Sequence, residues 1–391
     1  MTSERMTVAA AAPSYVRAIA PYQGGRPISE IARTYGLREE EIVKLASNEN
    51  PLGMSPKAHA AMLAAANDLG RYPDGSGHAL KQAISRKFQV PADFITLGNG
   101  SNDILELVAG ALLGPDAESV FSQHSFAVYA LATQAVGARA VVVPATKPAL
   151  GHDLAAMAAA VTPATRVVWV ANPNNPTGSF LSGQALRGFI EEIPSSVLMV
   201  LDEAYTEFLP EADRYDALRW VESYPNLLVS RSFSKAYGMA GLRLGFGVAQ
   251  PAVTDLLNRI RQPFNVSSLA QAAGEAALFD EEFLAQTADL NARGLVQLET
   301  GLSALGVPSL PSRGNFVLAR VAASPGLTRL ATPGAAVGDA VFGALLKKGV
   351  ITRSVSAYGL PDWLRISVGT QVENEAFLRA LGALVAEHDA G

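Results

Sequence analysis

Six short apolar runs punctuate the middle of this chain, at residues 94–97, 119–122, 140–143, 167–171, 197–201 and 227–230. Each is too short for a helix and nearly continuous in its apolar character, the pattern of a strand buried on both faces. Stretches of helical period lie between them, at 103–113, 126–136, 153–161 and 184–192. Strands alternating with helices in this way predict an α/β fold with one mostly parallel sheet covered on both sides. Ligands in such sheets collect outside the carboxyl ends of the strands.

The two ends of the chain carry other patterns. Residues 13–27 are rich in Pro and Gly, and a polar helix-like stretch follows at 28–41. From about Ala285 the sequence predicts a long helix, a strand at 315–319, a helix at 335–348, short strands near 350–353 and 363–368, and a last helix from Glu373. Residues 320–334 read as a loop. The division expected is therefore an N-terminal segment 1–45 packing with a small α+β domain 285–391, and a large domain 46–284. With 49 % hydrophobic and 17 % charged residues, 391 residues can bury a large core. A net charge of −5 gives no footprint for nucleic acid or an anionic membrane. No cysteine is present, which excludes disulfides, thiolate metal sites and a cysteine nucleophile. The five histidines have no metal-ligand spacing, so no metal is expected. The apolar run 8–12 is too brief for a leader, and no apolar stretch is long enough to span a membrane. A cytoplasmic setting is the expectation.

Four motifs fall just after predicted strands. Ser232-Phe233-Ser234-Lys235 follows the run ending at 230, and Arg243 lies eight residues past the lysine. A lysine at a strand end among apolar neighbours can lose part of its charge to desolvation, and a neutral amine attacks aldehydes. Two hydroxyls and an arginine beside it suit a phosphate. The competing reading is a loop lysine in solvent. Asp202-Glu203-Ala204-Tyr205 follows the run 197–201. A carboxylate in a crevice requires a cation, and a protonated pyridine nitrogen is one. A helix N-cap is the alternative. Asn172-Pro173-Asn174-Asn175-Pro176-Thr177-Gly178 is either a plain turn or a rigid one that holds an amide against a ligand. Gly98-Asn99-Gly100-Ser101-Asn102-Asp103 opens a helix, whose free N–H groups could bind phosphate or simply be capped by Ser101 or Asn102.

Taken together these motifs resemble the fold-type I family of pyridoxal phosphate (PLP)-dependent aminotransferases, and within it most closely the histidinol-phosphate aminotransferase subgroup. Further matches lie at Pro21-Tyr22-Gln23-Gly24-Gly25, Asn48-Glu49-Asn50-Pro51-Leu52-Gly53, Arg71-Tyr72-Pro73-Asp74 and Leu364-Arg365-Ile366-Ser367-Val368-Gly369. The resemblance implies a large domain with a mostly parallel central sheet, a smaller α+β domain, and PLP as cofactor. It implies that Lys235 binds PLP covalently and that Asp202 pairs with the ring nitrogen. Asn175 and Tyr205 would bond the ring's phenolic oxygen. Ser101, Asn102, Ser232, Ser234 and Arg243 would hold the phosphate, and Phe126 would stack on the ring. Gln123-His124-Ser125 departs here from the proline–threonine pair that relatives often carry before the aromatic residue. Tyr72 matches a tyrosine that reaches the neighbouring subunit's phosphate site, which implies a homodimer with shared sites. Arg365, Arg353, Tyr22 and Asn50 would contact substrate.

The implied reaction passes an amino group from L-histidinol phosphate to 2-oxoglutarate. Arginine's planar fork suits both a phosphate monoester and a carboxylate, which such an enzyme must accept in turn. An aromatic amino-acid aminotransferase and a related PLP decarboxylase are the competing enzymes. A PLP-binding transcription regulator is the competing non-enzyme, and the short N-terminal segment without a basic face speaks against it.

Overall fold

The computed structural model describes residues 7–22 and 24–389; residues 1–6 of the N-terminal segment and Gln23 of the Pro21–Gly25 motif lie outside it. Among the described residues run thirteen strands. They are β1 (Val43–Lys44), β2 (Ile95–Gly98), β3 (Glu118–Ser122), β4 (Arg139–Val143), β5 (Thr165–Ala171), β6 (Leu198–Asp202), β7 (Leu227–Ser232), β8 (Gly245–Val248), β9 (Ser309–Leu310), β10 (Phe316–Ala319), β11 (Val350–Ile351), β12 (Arg353–Ser354) and β13 (Leu364–Ser367). A seven-stranded sheet has the order β2-β8-β7-β6-β5-β3-β4. Strand β8 is antiparallel to both neighbours, and every other pairing in that sheet is parallel.

Successive side chains of a strand point to opposite faces, so a strand covered twice must be apolar throughout. In β5, Val168 and Val170 enter a core shared with helices His78–Phe88, Gly183–Glu192 and Ser268–Ala277. Val167, Trp169 and Ala171 enter a second core shared with helices Ser101–Leu112 and Ala127–Ala135. Polar groups are pushed to the strand ends. The six expected runs match β2 to β7 to within two residues at each end. The sequence pattern misses β8, because Gly245 and Gly247 interrupt its apolar character. Those glycines are where helix Ser101–Leu112 lies against the sheet. A Cβ on Gly245 would press into the backbone of Gly100 and Ser101, and one on Gly247 would sit 2.9 Å from Ile104.

A four-stranded antiparallel sheet, β12-β13-β10-β9, carries a further core. Helices Glu281–Ala304, Val337–Lys347 and Gln371–Asp389 cover it with Leu298, Leu302, Val341, Leu345, Phe377 and Leu381. Strand β1 pairs in parallel with β11. Helix Ile28–Tyr35 packs Ile31 and Ala32 against Ile42, Ala46, Leu346 and Ile351. Two expectations need correction. The helix begun at Ile28 stops at Tyr35, because Gly36 takes a left-handed cap at φ +69 and the chain resumes as a turn of 3-10 helix at Glu39–Glu41. The loop expected at 320–334 contains helical turns at Val321–Ala323 and Pro325–Thr328; Pro325 opens the second and Leu327 is fully buried. No helix among the described residues is long and apolar enough to cross a membrane.

Gly245→Ala should lower stability by about 1–3 kcal/mol in urea unfolding, since the new methyl meets backbone that cannot swing aside. Gly188→Ala, within helix Gly183–Glu192 with nothing in reach of its Cβ, should instead raise it by about 0.5–1 kcal/mol.

Candidate active site

The carboxyl ends of β2, β5, β6 and β7 open onto one cavity of about 190 Å³. It brings together Ser101, Asn102, Phe126, Asn175, Asp202, Tyr205, Ser232, Ser234, Lys235 and Arg243 with Tyr22, Arg353 and Arg365. These residues come from positions 22 to 365, so the fold and not the chain makes them neighbours.

Lys235 follows β7 in a turn anchored by Phe233, whose ring is buried in the core beneath. Its Nζ donates to Ser47 O at 3.0 Å and lies 6.0 Å from the centre of the Tyr205 ring. Burial, together with the positive charge of Arg365, brings the amine down to about 8. Asp202 ends β6. Its Oδ2 accepts a hydrogen bond of 2.9 Å from Tyr129 Oη, and burial pushes the carboxyl up to about 6. Its Oδ1 is buried and has no partner among the described residues. A buried carboxylate oxygen left in this way requires a cation or a donor.

Tyr205 Oη accepts a hydrogen bond of 2.9 Å from Asn48 Nδ2, and burial pushes the phenol up to about 12. Asn48 holds a left-handed backbone at φ +54 and is pinned on both sides. Its N–H donates to Ser367 Oγ, Ser367 Oγ donates back to Asn48 Oδ1, and Asn315 Nδ2 donates to Asn48 O. In the turn after β5, Asn172 and Asn174 use their amides to brace the loop itself: Asn172 bonds Leu181 in both directions, and Asn174 Nδ2 donates to Thr177 Oγ1. Asn175 alone of the three points its amide oxygen at the cavity, accepting from Arg365 Nη1 at 2.6 Å. Arg365 Nη2 donates to Ala46 O, and its Nε is buried without a partner among the described residues. The guanidinium of Arg353 lies 5.4 Å from the centre of the Tyr22 ring.

The third region is cationic. Arg243 takes a left-handed backbone at φ +55, which turns its guanidinium under Gly100, and Nη1 donates to Ser234 Oγ. A side chain at Gly100 would collide with that guanidinium. Ser232 Oγ accepts from Ser234 N. Hydroxyls, a guanidinium and the start of helix Ser101–Leu112 thus face one spot, a seat for an anion.

Two of the expected site residues stand elsewhere in this chain. Tyr72 is 82 % exposed and stacks on Phe264 at 4.8 Å, outside the cavity. Asn50 does not line the cavity either; its Nδ2 donates to Ala236 O and Thr287 Oγ1, which braces the backbone beside Lys235. His124 ties the loop before Phe126 to the second sheet's side, with Nδ1 2.6 Å from Tyr358 O. Sequence reasoning missed Tyr129, an unremarked position of an amphipathic helix. It also missed the Arg231–Glu203 ion pair, buried at 2.7 Å behind Asp202, and Glu207 beside it. Arg231 was the available signal: a charge directly after an apolar run, on a strand that continues buried to Ser232, must find a partner.

The arrangement can do three things. It presents an amine that is easily neutralised, it holds a carboxylate ready for a cation, and it gathers three arginines around anion seats.

Residues 40–381 match the aminotransferase class I and II family. Histidinol-phosphate aminotransferase 2 of Ralstonia nicotianae is 58 % identical over 97 % of this chain and 98 % of its own length. Histidinol-phosphate aminotransferase 1 of Cupriavidus pinatubonensis is 57 % identical, over 94 % of this chain and 95 % of its own. The crystal structure of histidinol-phosphate aminotransferase from Sinorhizobium meliloti in complex with pyridoxal-5'-phosphate superposes with a TM-score of 0.84, at 27 % identity over 96 % of this chain and 97 % of that one.

The Lys235 amine should titrate near 8, charged below that pH and neutral above it. In protein carrying ¹³C-methylated lysines, the resonance missing from Lys235→Ala identifies it. A midpoint in the ordinary lysine range of about 10.4 would show that the cavity does not perturb the amine.

Proposed function

The chain belongs to the aminotransferase class I and II family, and on that premise we propose that it is a PLP enzyme that transfers an amino group between L-histidinol phosphate and 2-oxoglutarate, a step of histidine biosynthesis. The single observation that carries the reading is the placement, on one cavity, of the Lys235 amine and a buried carboxylate, Asp202, whose Oδ1 has no partner among the described residues. The names of the relatives that match this chain nearly end to end support the substrate.

The residues fit PLP by charge. The unpartnered Asp202 Oδ1 suits a protonated ring nitrogen, and the seat formed by Ser101, Asn102, Ser232, Ser234 and Arg243 suits the phosphate. When bound, PLP supplies an aldehyde carbon for the amines and a protonated ring that takes up electrons from the substrate Cα. Lys235 Nζ would hold the aldehyde carbon between turnovers, then take the proton from the substrate Cα and return it to the other side of the transferred nitrogen. Asp202 would keep the ring nitrogen protonated. Asn175 and Tyr205 would orient the ring through its phenolic oxygen, and Phe126 would lie against its face. Arg365 would grip the anion of either substrate, with Arg353 and Tyr22 at the phosphate end of histidinol phosphate.

We extend the proposal to the assembly. The unit is a homodimer in which the partner subunit's Tyr72 completes the phosphate seat, which gives an exposed tyrosine of this chain a use. Residues 46–284 serve as the cofactor domain, with 1–45 and 285–391 as the smaller unit; the separate sheets and cores support that division. The reaction runs in the cytoplasm.

With 2-oxoglutarate as acceptor, L-histidinol phosphate should exceed phenylalanine in kcat/KM by more than about a hundredfold, because a built anion site discriminates against amines that leave it unpaired. Glutamate formation reads this directly, and the reverse order would hand the site to an aromatic substrate. Lys235→Ala should abolish turnover with an unchanged circular dichroism spectrum. Mixing it with inactive Tyr72→Ala should restore up to about a quarter of parental activity, because random pairing under two-fold symmetry gives each heterodimer one intact site. No recovery would argue against shared sites.

A further inference from the structure

The two oxygens of Asp202 are treated differently by their surroundings. Oδ2 accepts the Tyr129 hydroxyl at 2.9 Å, and Oδ1 has no partner among the described residues. We infer that Tyr129 is a positioning residue for amino transfer: its hydroxyl locks the Asp202 carboxylate in one orientation and favours its ionised form, which leaves Oδ1 as the acceptor for the cofactor's ring N–H. This deepens the proposed function and rests on it, since that reading supplies the cation.

The donor cannot move. Tyr129 is fully buried, its ring parallel to Trp169 at 5.4 Å and 5°, with Phe126 and Phe121 packed edge-on at 5.9 and 6.4 Å. Thr133 Oγ1 bonds Tyr129 O one turn on and meets Ser119 Oγ, which ties the helix to β3. A donor fixed at both ends aims its hydrogen in one direction, and a carboxylate bonded to it loses its freedom to rotate.

The donor also stays a donor. Burial, reinforced by the charge of Asp202, holds the phenol well above its ordinary range, so it keeps its proton at any working pH. Three other titratable groups bear on Asp202 or lie beside it. Glu203, the next residue, raises its proton affinity; Lys235 across the cavity lowers it; Tyr205, three residues on, has its hydroxyl held by Asn48. Burial is the strongest influence and favours the neutral acid; the Tyr129 hydrogen bond is the strongest one opposing it. Without that hydroxyl the acid would hold its proton at higher pH, and a neutral acid cannot keep a pyridine nitrogen charged.

Tyr129→Phe retains the stacked ring and removes one oxygen. In the apoprotein the Asp202 carboxyl carbon, identified in ¹³C NMR as the resonance missing from Asp202→Asn, should titrate higher by about one pH unit or more, the worth of a charge-assisted hydrogen bond. In the PLP-loaded enzyme kcat should fall by about tenfold with KM little changed, and the acid limb of kcat/KM should move to higher pH. An unmoved Asp202 titration overturns the inference whatever the activity does, because packing alone would leave that titration in place. Should Tyr129→Phe fail to fold, fluorotyrosine at 129, a stronger donor of the same shape, should move the titration to lower pH, and no movement overturns the inference equally. A parental protein that binds no PLP, or an Asp202→Asn variant that transaminates at the parental rate, strikes the proposed function instead. The apoprotein titration decides the hold of Tyr129 on Asp202 independently of both.

Discussion

A carboxylate at the end of a doubly covered strand is the constraint around which this molecule is arranged. Burial raises the energy of the charge, and only a few neighbours can lower it. Every element that touches Asp202 is itself held. Helix Ala127–Ala135 brings Tyr129 to one oxygen, the β6–β7 ladder continues through Glu203 N to Ser230 O, and Asn172 N bonds Asp202 O from the next strand. Behind it, Arg231 sits between Glu203 and Glu207, and burial pushes Glu207 up to about 7. The polar material is concentrated where the sheet ends because its interior is closed to it on both faces.

The second sheet is joined to this edge through side chains that bridge long gaps in sequence. Arg365, on β13, reaches Asn175 of the turn after β5 and the backbone of Ala46. Ser367, two residues on, closes a ring of bonds with Asn48, and Asn48 holds Tyr205. One short strand of the smaller sheet therefore sets the position of groups on both sides of the cavity. A displacement of β13 would be felt at the Tyr205 hydroxyl and at the Asn175 amide together.

The sheet was legible because period and length speak clearly for buried parallel strands, and the motifs were legible because each follows such a strand. Lys235, Asp202 and Asn175 stand out as polar residues at apolar ends. What escaped notice had no such contrast. Tyr129 occupies an ordinary inward position of an amphipathic helix, and its hydroxyl acquires a meaning only when β6 is set beside it. Arg231 escaped because the run was ended at 230, one residue short of the charge, whereas β7 continues to Ser232. Asn50 was drawn toward the substrate by the company of its motif, but its amide is engaged by Ala236 and Thr287. Strand β8 escaped because glycine carries no hydropathy signal.

Those glycines have a further consequence. The tip of helix Ser101–Leu112 reaches the edge of the sheet because Gly245 leaves no Cβ in its path, and Arg243 passes beneath it because Gly100 leaves none. The anion seat is thus shaped by atoms that are missing. A cavity defined by large side chains can be restored by trimming or enlarging a neighbour, but a backbone-on-backbone approach offers nothing to trim. Drift at Gly245 therefore has no compensating route, whereas the neighbour of Gly100 is the Arg243 guanidinium, the far end of a side chain that can give way.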